Sequence, residues 1–410
     1  MADRYFGRKA GLIVTVALAL ACTLGVAAKA DPAFDSFLQS TWPDAQKLGV
    51  SRATFDAAVK NLEPDLSLPD LLIPGKPDTA PPQPEFVLTP SQYLKESTFT
   101  RLTTKGRELA AQHRDTLARI EREIGVPGNV VLAIWARETD YGRYALPYDA
   151  IRVLATQAYT GRRKDMFRGE FLYALKMLDD GVPRSRLRSS WGGAIGMTQF
   201  LPSEFYKYAT DFDGDGKIDI WTSVPDALAM AAKQLAAKGW QRGEPWAIEV
   251  RAPANADCTI AQPEHKKPVA EWLRDGFVPA RGRKLGDRAL AMEASLLLPE
   301  GTYGPAFLTP ANYYVIKEYN FSDLYVLFVG HLSDLIAGGK PFETPWSKTA
   351  QLRTADVEAM QQKLTAQGFY KDKIDGKAGM LTRSALGAYQ KANRLKIDCW
   401  PTAELLRAMR

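Results

Sequence analysis

The sequence predicts a mainly α-helical protein with a small β-rich excursion and a small helical module at its C-terminus. Three observations carry this. Apolar residues recur at helical spacing through most of residues 31–238 and again over 313–335. Between 246 and 300, short β-like runs alternate with Pro- and Gly-containing turns. After a linker, Thr354 to Arg410 shows helical faces once more: Val357, Met360 and Leu364, then Leu381, Leu386 and Tyr389.

The chain has 410 residues, more than one average domain, and its 46% hydrophobic and 24% charged residues suit a globular core that needs no disulfide scaffold. The N-terminus reads as a targeting segment. Arg4, Arg8 and Lys9 form a basic region, Leu12 to Ala21 is apolar, and Ala28-Lys29-Ala30 matches a cleavage pattern. The expectation is cleavage after Ala30 and export to the periplasm. Lipid modification at Cys22 is the second route, because Ala19-Leu20-Ala21 is a poor lipoprotein signal. Cleavage removes Arg4, Arg8, Lys9 and Lys29 against Asp3, so the formal charge falls from +6 to +3. That weak basic bias suits an anionic polymer and argues against a nucleic-acid partner. Cys258 and Cys399 lie far apart and imply no disulfide framework. His113, His265 and His331 have no metal-ligand spacing, which disfavours zinc and Ser-His-Asp hydrolases.

Taken in order, Phe34, Phe37 and Leu38, then Phe55, Ala58, Val59 and Leu62, predict short helices over 31–72, with Thr41 and Ser51 as candidate caps. Residues 74–90 are proline-rich and read as an extended connection. A long polar helix is expected from Tyr93 to Ile124. Next comes VVLAIWARETDYGR, Val130 to Arg143. Val131, Ile134, Trp135 and Glu138 share one face, with Pro127 and Gly128 ahead and Gly142 behind. Glu138 thus falls on the apolar stripe and in the last, electronegative turn. Both features disfavour the carboxylate and favour the protonated acid. A protonated acid near neutral pH is what cleaving a glycosidic bond requires. The same spacing also suits a partly exposed Glu paired with Arg137 or Arg143.

Two amphipathic helices follow over 151–182, with Arg162, Arg163 and Lys164 between them as a solvated cluster. In SSWGGAIGMTQFLPSEF, residues 189–205, Gly192, Gly193 and Gly196 sit among large apolar groups. Such a stretch forms the floor of a ligand groove or a tightly packed helix start. Asp211, Asp213 and Asp215, then Gly216, match positions 1, 3, 5 and 6 of a calcium loop, with the Lys217 carbonyl next and Asp219 at position 9. Position 12 is Thr222, so Asp226 closes the shell only in a longer loop; the alternative is a solvated acidic turn. Helix returns over 226–238. In the excursion, Trp246 to Val250 and Leu290 to Leu298 are candidate strands, though the second also suits a helix. Tyr313 to Leu335 reads as an aromatic helix whose tyrosine hydroxyls need partners, which favours groove margins. In the tail, Asp375-Gly376-Lys377-Ala378-Gly379 has a degenerate echo at Asp398-Cys399-Trp400-Pro401-Thr402, which hints at an internal repeat.

ETDYGR, SSWGGAIGMTQFLPSEF, DFDGDGKIDIW with its trailing VPDAL, and EYNFSDLY at 318–325 together resemble the lytic murein transglycosylase B family, and the tail resembles the three-helix peptidoglycan-binding module. The resemblance implies a lysozyme-like α+β catalytic core over 31–340, a linker over 341–352 and a peptidoglycan-binding domain over 353–410. It implies cleavage of the β-1,4 bond between N-acetylmuramic acid and N-acetylglucosamine in glycan strands, by a monomer, with no cofactor for the chemistry. Glu138 matches the catalytic acid. Ser190, Gln199, Tyr319, Asn320, Tyr325 and, less directly, Tyr93 match substrate-contacting positions. Asp211, Asp213, Asp215, Lys217 and Asp226 match a calcium loop. Two departures stand out: the loop is one residue longer before Asp226, and Lys233-Gln234 replaces an Asn-Tyr pair. With a single carboxylate, the implied product is a 1,6-anhydromuramyl end. A hydrolysing muramidase and a non-catalytic murein-binding scaffold are the alternatives.

Overall fold

The helix Gly128–Thr139 is the hub of the larger, N-terminal unit in the computed structural model, which describes residues 31–76, 84–347, 349–350 and 352–409. The expected signal segment and Cys22 lie outside the described residues. Val130 to Ala136 are all buried, so the helix is enclosed on every side rather than along one stripe. Helices Glu96–Gln112, Arg114–Glu123, Val224–Ala237 and Asp323–Ile336 pack around it. Beyond Asn129 in the first turn, only its last turn, with Arg137 and Glu138, reaches a half-buried environment.

Several boundaries differ from the sequence reading. The long polar helix is two helices that meet at His113, where φ is −108° and the ladder breaks; both segments then pack on the hub. The described part of the proline-rich stretch holds two short helices, Pro84–Val87 and Pro90–Tyr93. Pro90 starts the second, and Thr89 and Gln92 close a reciprocal capping box around it. The aromatic helix is also two helices, Ala311–Lys317 and Asp323–Ile336, joined by the loop that carries Tyr319 and Asn320. Ser51 caps its helix through Thr54 N–H, whereas Thr41 turns its hydroxyl back to Leu38 O. Arg162 and Arg163 are not simply solvated: both pair with Asp70.

The β-rich excursion is a five-stranded antiparallel sheet, in the spatial order Lys267–Pro268, Glu293–Leu297, Ala306–Thr309, Ile248–Arg251, Val278–Pro279. Of the ambiguous 290–298 run, the first residues end a helix, Asp287–Ala291, and the rest form the strand. One face of this sheet packs a second core around Trp272, Val250, Leu296 and Leu308.

The C-terminal module has three helices, Thr354–Ala366, Met380–Ala392 and Ala403–Ala408, over its own small core. Its internal repeat is real in three dimensions. Gln361 accepts from the backbone N–H groups of Asp375 and Gly376 and donates to Asp375 Oδ1; Gln390 does the same with Asp398 and Cys399. Two features tie the module down that composition did not announce. Cys258 and Cys399 form a disulfide across a separation of 141 residues, which corrects the expectation of two unlinked cysteines. The segment before the module packs too: Phe342 and Trp346 lie against the main core, and Glu249 accepts from the N–H groups of Glu343 and Thr344.

Candidate active site

The hub helix ends in an abrupt reversal. Asp140, Tyr141 and Gly142 are all left-handed, with φ of 51°, 58° and 79°. Gly142 adopts this region freely, whereas Asp140 and Tyr141 do so at a cost. The reversal is held by its neighbours. Tyr141 OH donates to Leu102 O at 2.9 Å, Asp140 accepts from Arg101 at 2.8 Å, and Thr139 donates to Met197 O at 2.6 Å. The last contact joins the end of the helix to the glycine-rich stretch.

Glu138 therefore occupies a fixed last turn. Tyr325 OH donates to its Oε1 at 2.6 Å. Burial, and then the Glu138 charge, push the Tyr325 phenol well above its ordinary value, so it stays a neutral donor. Tyr325 is 2% exposed, so its hydroxyl meets Glu138 in the interior rather than facing the open cleft. The Tyr319 ring stacks beside it at 6.3 Å, and Tyr319 OH donates to Thr198 O at 2.5 Å. The tyrosine hydroxyls thus find the partners their burial demands.

On its open side Glu138 borders a cleft of about 480 Å³ with Tyr93, Arg101, Arg137, Asp140, Tyr144 and Phe328. Arg137 donates to Tyr93 OH at 2.8 Å and lies over the Tyr93 and Phe328 rings. Burial works against its charge, but Tyr93 and Glu138 outweigh that and hold the guanidinium protonated. Arg143 turns to Asp140 instead of Glu138. The sequence reading had left Arg137 and Tyr144 outside the groove. Arg137 follows Ala136 on a buried helix, which was the available signal; the exposed Tyr144 gave none.

The glycine-rich stretch is a loop, not a helix start, until Pro202–Tyr208 begins. Gly193 has φ of 81°, and a Cβ there would collide with Leu154. Ser190 accepts from Ala194 N–H at 3.2 Å, and Gln199 donates to Gly196 O at 2.9 Å. Asn320 Oδ1 accepts from Ser322 N–H at 3.1 Å. The structure thus brings Tyr319 and Tyr325 to Glu138 and Tyr93 to the same cleft. Ser190, Gln199 and Asn320 are not among the residues that line it; the glycine-rich stretch is joined to the site through Met197 and Thr198, whose carbonyls accept from Thr139 and Tyr319. Gln234, at the departure from the family pattern, is buried and donates to Glu204 at 2.8 Å; this pair was not foreseen.

Among the described residues, Asp211, Asp213 and Asp226 bring carboxylate oxygens within 4.8 Å of one another. Asp226 is fully buried and accepts from Phe212 N–H and Asp219 N–H, while Ser223 donates to Asp213. This oxygen-only, triply anionic set fits a hard divalent cation. Asp215 stands outside the triad and accepts from Lys217 N–H; Asp219 is taken by Arg186 and Thr222.

Residues 33–334 match the family model described as transglycosylase SLT domain, and residues 353–409 match a peptidoglycan binding domain. Membrane-bound lytic murein transglycosylase B of Escherichia coli is 32% identical over 229 residues, which span 55% of this chain and 61% of that protein. The structure of SltB3 from Pseudomonas aeruginosa in complex with NAG-anhNAM-pentapeptide is 36% identical, with a TM-score of 0.81 over 92% of this chain and 99% of that one. The Escherichia coli lytic transglycosylase Slt35 in complex with calcium is 28% identical, with a TM-score of 0.51 over 60% of this chain and 77% of that one.

Proposed function

The chain belongs to the transglycosylase SLT domain family, and on that premise we propose that it is a peptidoglycan lytic transglycosylase whose single acid/base is Glu138. The observation that carries the reading is the half-buried Glu138 carboxyl at a cleft, clasped by a neutral phenol. The other carboxylate lining that cleft among the described residues, Asp140, is paired with Arg101 on a reversed backbone. Glycosidases with two carboxylates use one as acid and the other as base or nucleophile. Here one group takes both proton roles in turn.

Glu138 protonates the bridging oxygen as the C1–O bond breaks. As carboxylate it then accepts the proton of the muramyl C6 hydroxyl, whose oxygen bonds to C1 and closes the 1,6-anhydro ring. The attacking hydroxyl belongs to the same sugar, so its effective concentration is high and no activated water is needed. Tyr325 holds the acid in place through both steps. Ser190 and Asn320 orient the N-acetyl group, and Tyr319, Gln199 and Tyr93 line the sugar path. The fold of SltB3, solved with a NAG-anhNAM-pentapeptide, supports glycan strands as substrate.

Asp211, Asp213 and Asp226, with the Lys217 carbonyl as a further donor, would hold calcium as a structural ion that offsets the clustered carboxylates and stiffens the loop ahead of the helix Val224–Ala237; the calcium complex of Slt35 supports this. Cleavage after Ala30 delivers the enzyme to the periplasm, where the C-terminal module holds it on murein.

Mass spectrometry of digested murein tests the proposal. Anhydromuramyl ends are expected from the wild type and none from Glu138→Gln. Reducing ends would make the protein a hydrolysing muramidase.

A further inference from the structure

Asp323 is the first residue of the helix Asp323–Ile336, at the end of the loop that carries Tyr319 and Asn320. Ser322 caps that helix by accepting from Leu324 N–H at 3.1 Å. Tyr325, the residue that holds Glu138, lies in the same first turn. Whatever fixes Asp323 therefore fixes the direction in which Tyr325 leaves the backbone.

Three side chains donate to the Asp323 carboxylate: Tyr313 OH at 2.8 Å, Lys317 Nζ at 2.6 Å and Arg383 Nη2 at 3.1 Å. The first two come from the preceding helix of the catalytic unit. The third comes from the C-terminal module. The Arg383–Asp323 pair is buried, with side chains 9% and 10% exposed. Burial opposes the Asp323 charge, but Lys317 and Arg383 outweigh it and hold the carboxyl well below its ordinary range. A buried pair with further hydrogen bonds is rigid, and losing one partner is costly.

Arg383 is itself fixed from both sides. Its Nη1 donates to Ala378 O at 2.6 Å. Next to it, Ser384 donates to Thr259 O at 2.5 Å and accepts from Gln262 at 2.6 Å. The Cys258–Cys399 disulfide and the Tyr303 bond to Asp398 pin the same face of the module. An anchor that only tethers an enzyme to its substrate needs no buried charge beside the catalytic loop.

We infer that Arg383 of the C-terminal module is a positioning residue for glycan cleavage, acting through Asp323 on the helix turn that aims Tyr325 at Glu138. The inference rests on the reading of Glu138 as the acid. The module thus has two roles, holding the wall and completing the support of the active site.

The test uses the full chain and a soluble tetrasaccharide of alternating N-acetylglucosamine and N-acetylmuramic acid, so that anchoring to insoluble wall plays no part. Misplacement from a site remote from the chemistry costs up to about a hundredfold in rate. Arg383→Gln is expected to lower kcat at least about tenfold, with KM within about twofold and sedimentation with intact murein unchanged. Arg383→Lys, which keeps the charge, is expected to recover most of the loss. Arg383→Met gives a second measurement should the buried amide not be accommodated. Unchanged kcat in a folded Arg383→Gln or Arg383→Met variant overturns the inference. So does a loss confined to murein sedimentation, a loss that Lys does not relieve, or failure of both variants to fold. A wild type that releases no anhydro-ended product sinks the reading of Glu138 instead, and leaves this outcome distinct.

Discussion

The Tyr325 hydroxyl lies 2.6 Å from Glu138 Oε1, although 187 residues separate the two in the chain. A neutral phenol in that place steadies the carboxylate without supplying a proton of its own at neutral pH. Tyr325→Phe keeps the ring and removes only the donor. Its kcat is expected to fall by about ten- to a hundredfold, with the anhydro product unchanged in kind. Glu138→Gln is expected to remove at least about 10²-fold, and to leave the melting temperature near that of the wild type. Product release from purified murein, quantified by mass spectrometry, measures both.

The triad Asp211, Asp213 and Asp226 predicts a metal-dependent stability. Calcium at about a hundred times its dissociation constant stabilises a one-site protein by about 2.7 kcal/mol. The wild type is expected to melt higher with calcium than with chelator, and Asp213→Ala to show no such rise. Magnesium is expected to be less effective, because it demands near-octahedral geometry. Scanning calorimetry with each ion reads the difference.

His331 is buried between Phe99 and Phe342, and its ring stacks on Phe342 at 3.8 Å. Burial lowers its pKa from 6.5 to about 4. The unfolded chain takes up a proton at higher pH than the folded one, so stability is full above pH 6.5 and is lost as pH falls toward 4. The loss amounts to about 3 kcal/mol once both forms are protonated. Urea midpoints of the wild type should drop across this window by more than those of His331→Phe, whose ring does not titrate.

Gly193 lies in the glycine-rich loop with φ of 81° and no room for a Cβ beside Leu154. Gly193→Ala is expected to cost about 1–3 kcal/mol through strain and overpacking together. Adding Leu154→Ala should relieve the collision but not the backbone strain. Partial recovery in a urea titration of the double variant is the expected outcome.

The helix that carries Glu138 was legible because Pro127, Gly128 and Gly142 punctuate an apolar run, and such local signals survive folding. The clustering of Asp211 and Asp213 and the Asp-Gly turns of the module were legible for the same reason. The break at His113 was not, since the apolar period runs through it and only packing on the hub requires the bend. Likewise the spacing and family match mark Tyr325 as a groove residue; that its hydroxyl meets Glu138 is decided by a residue far along the chain. The Cys258–Cys399 pairing, the Gln234–Glu204 contact and the Arg383–Asp323 bridge are all tertiary, with no local pattern to reveal them. The packed strap around Phe342 and Trp346 reads as a linker because Gly338-Gly339 precede it and Pro341 and Pro345 interrupt it, with no helical or strand period between them.

The left-handed pair Asp140 and Tyr141 stores conformational energy of about 1–3 kcal/mol per residue, directly after Glu138 in the chain. Selection for heat tolerance should therefore reach these two positions early, favouring glycine or asparagine. Such thermotolerant lineages would trade a taut hinge for a slack one, and their turnover would report how much activity depends on this strained turn.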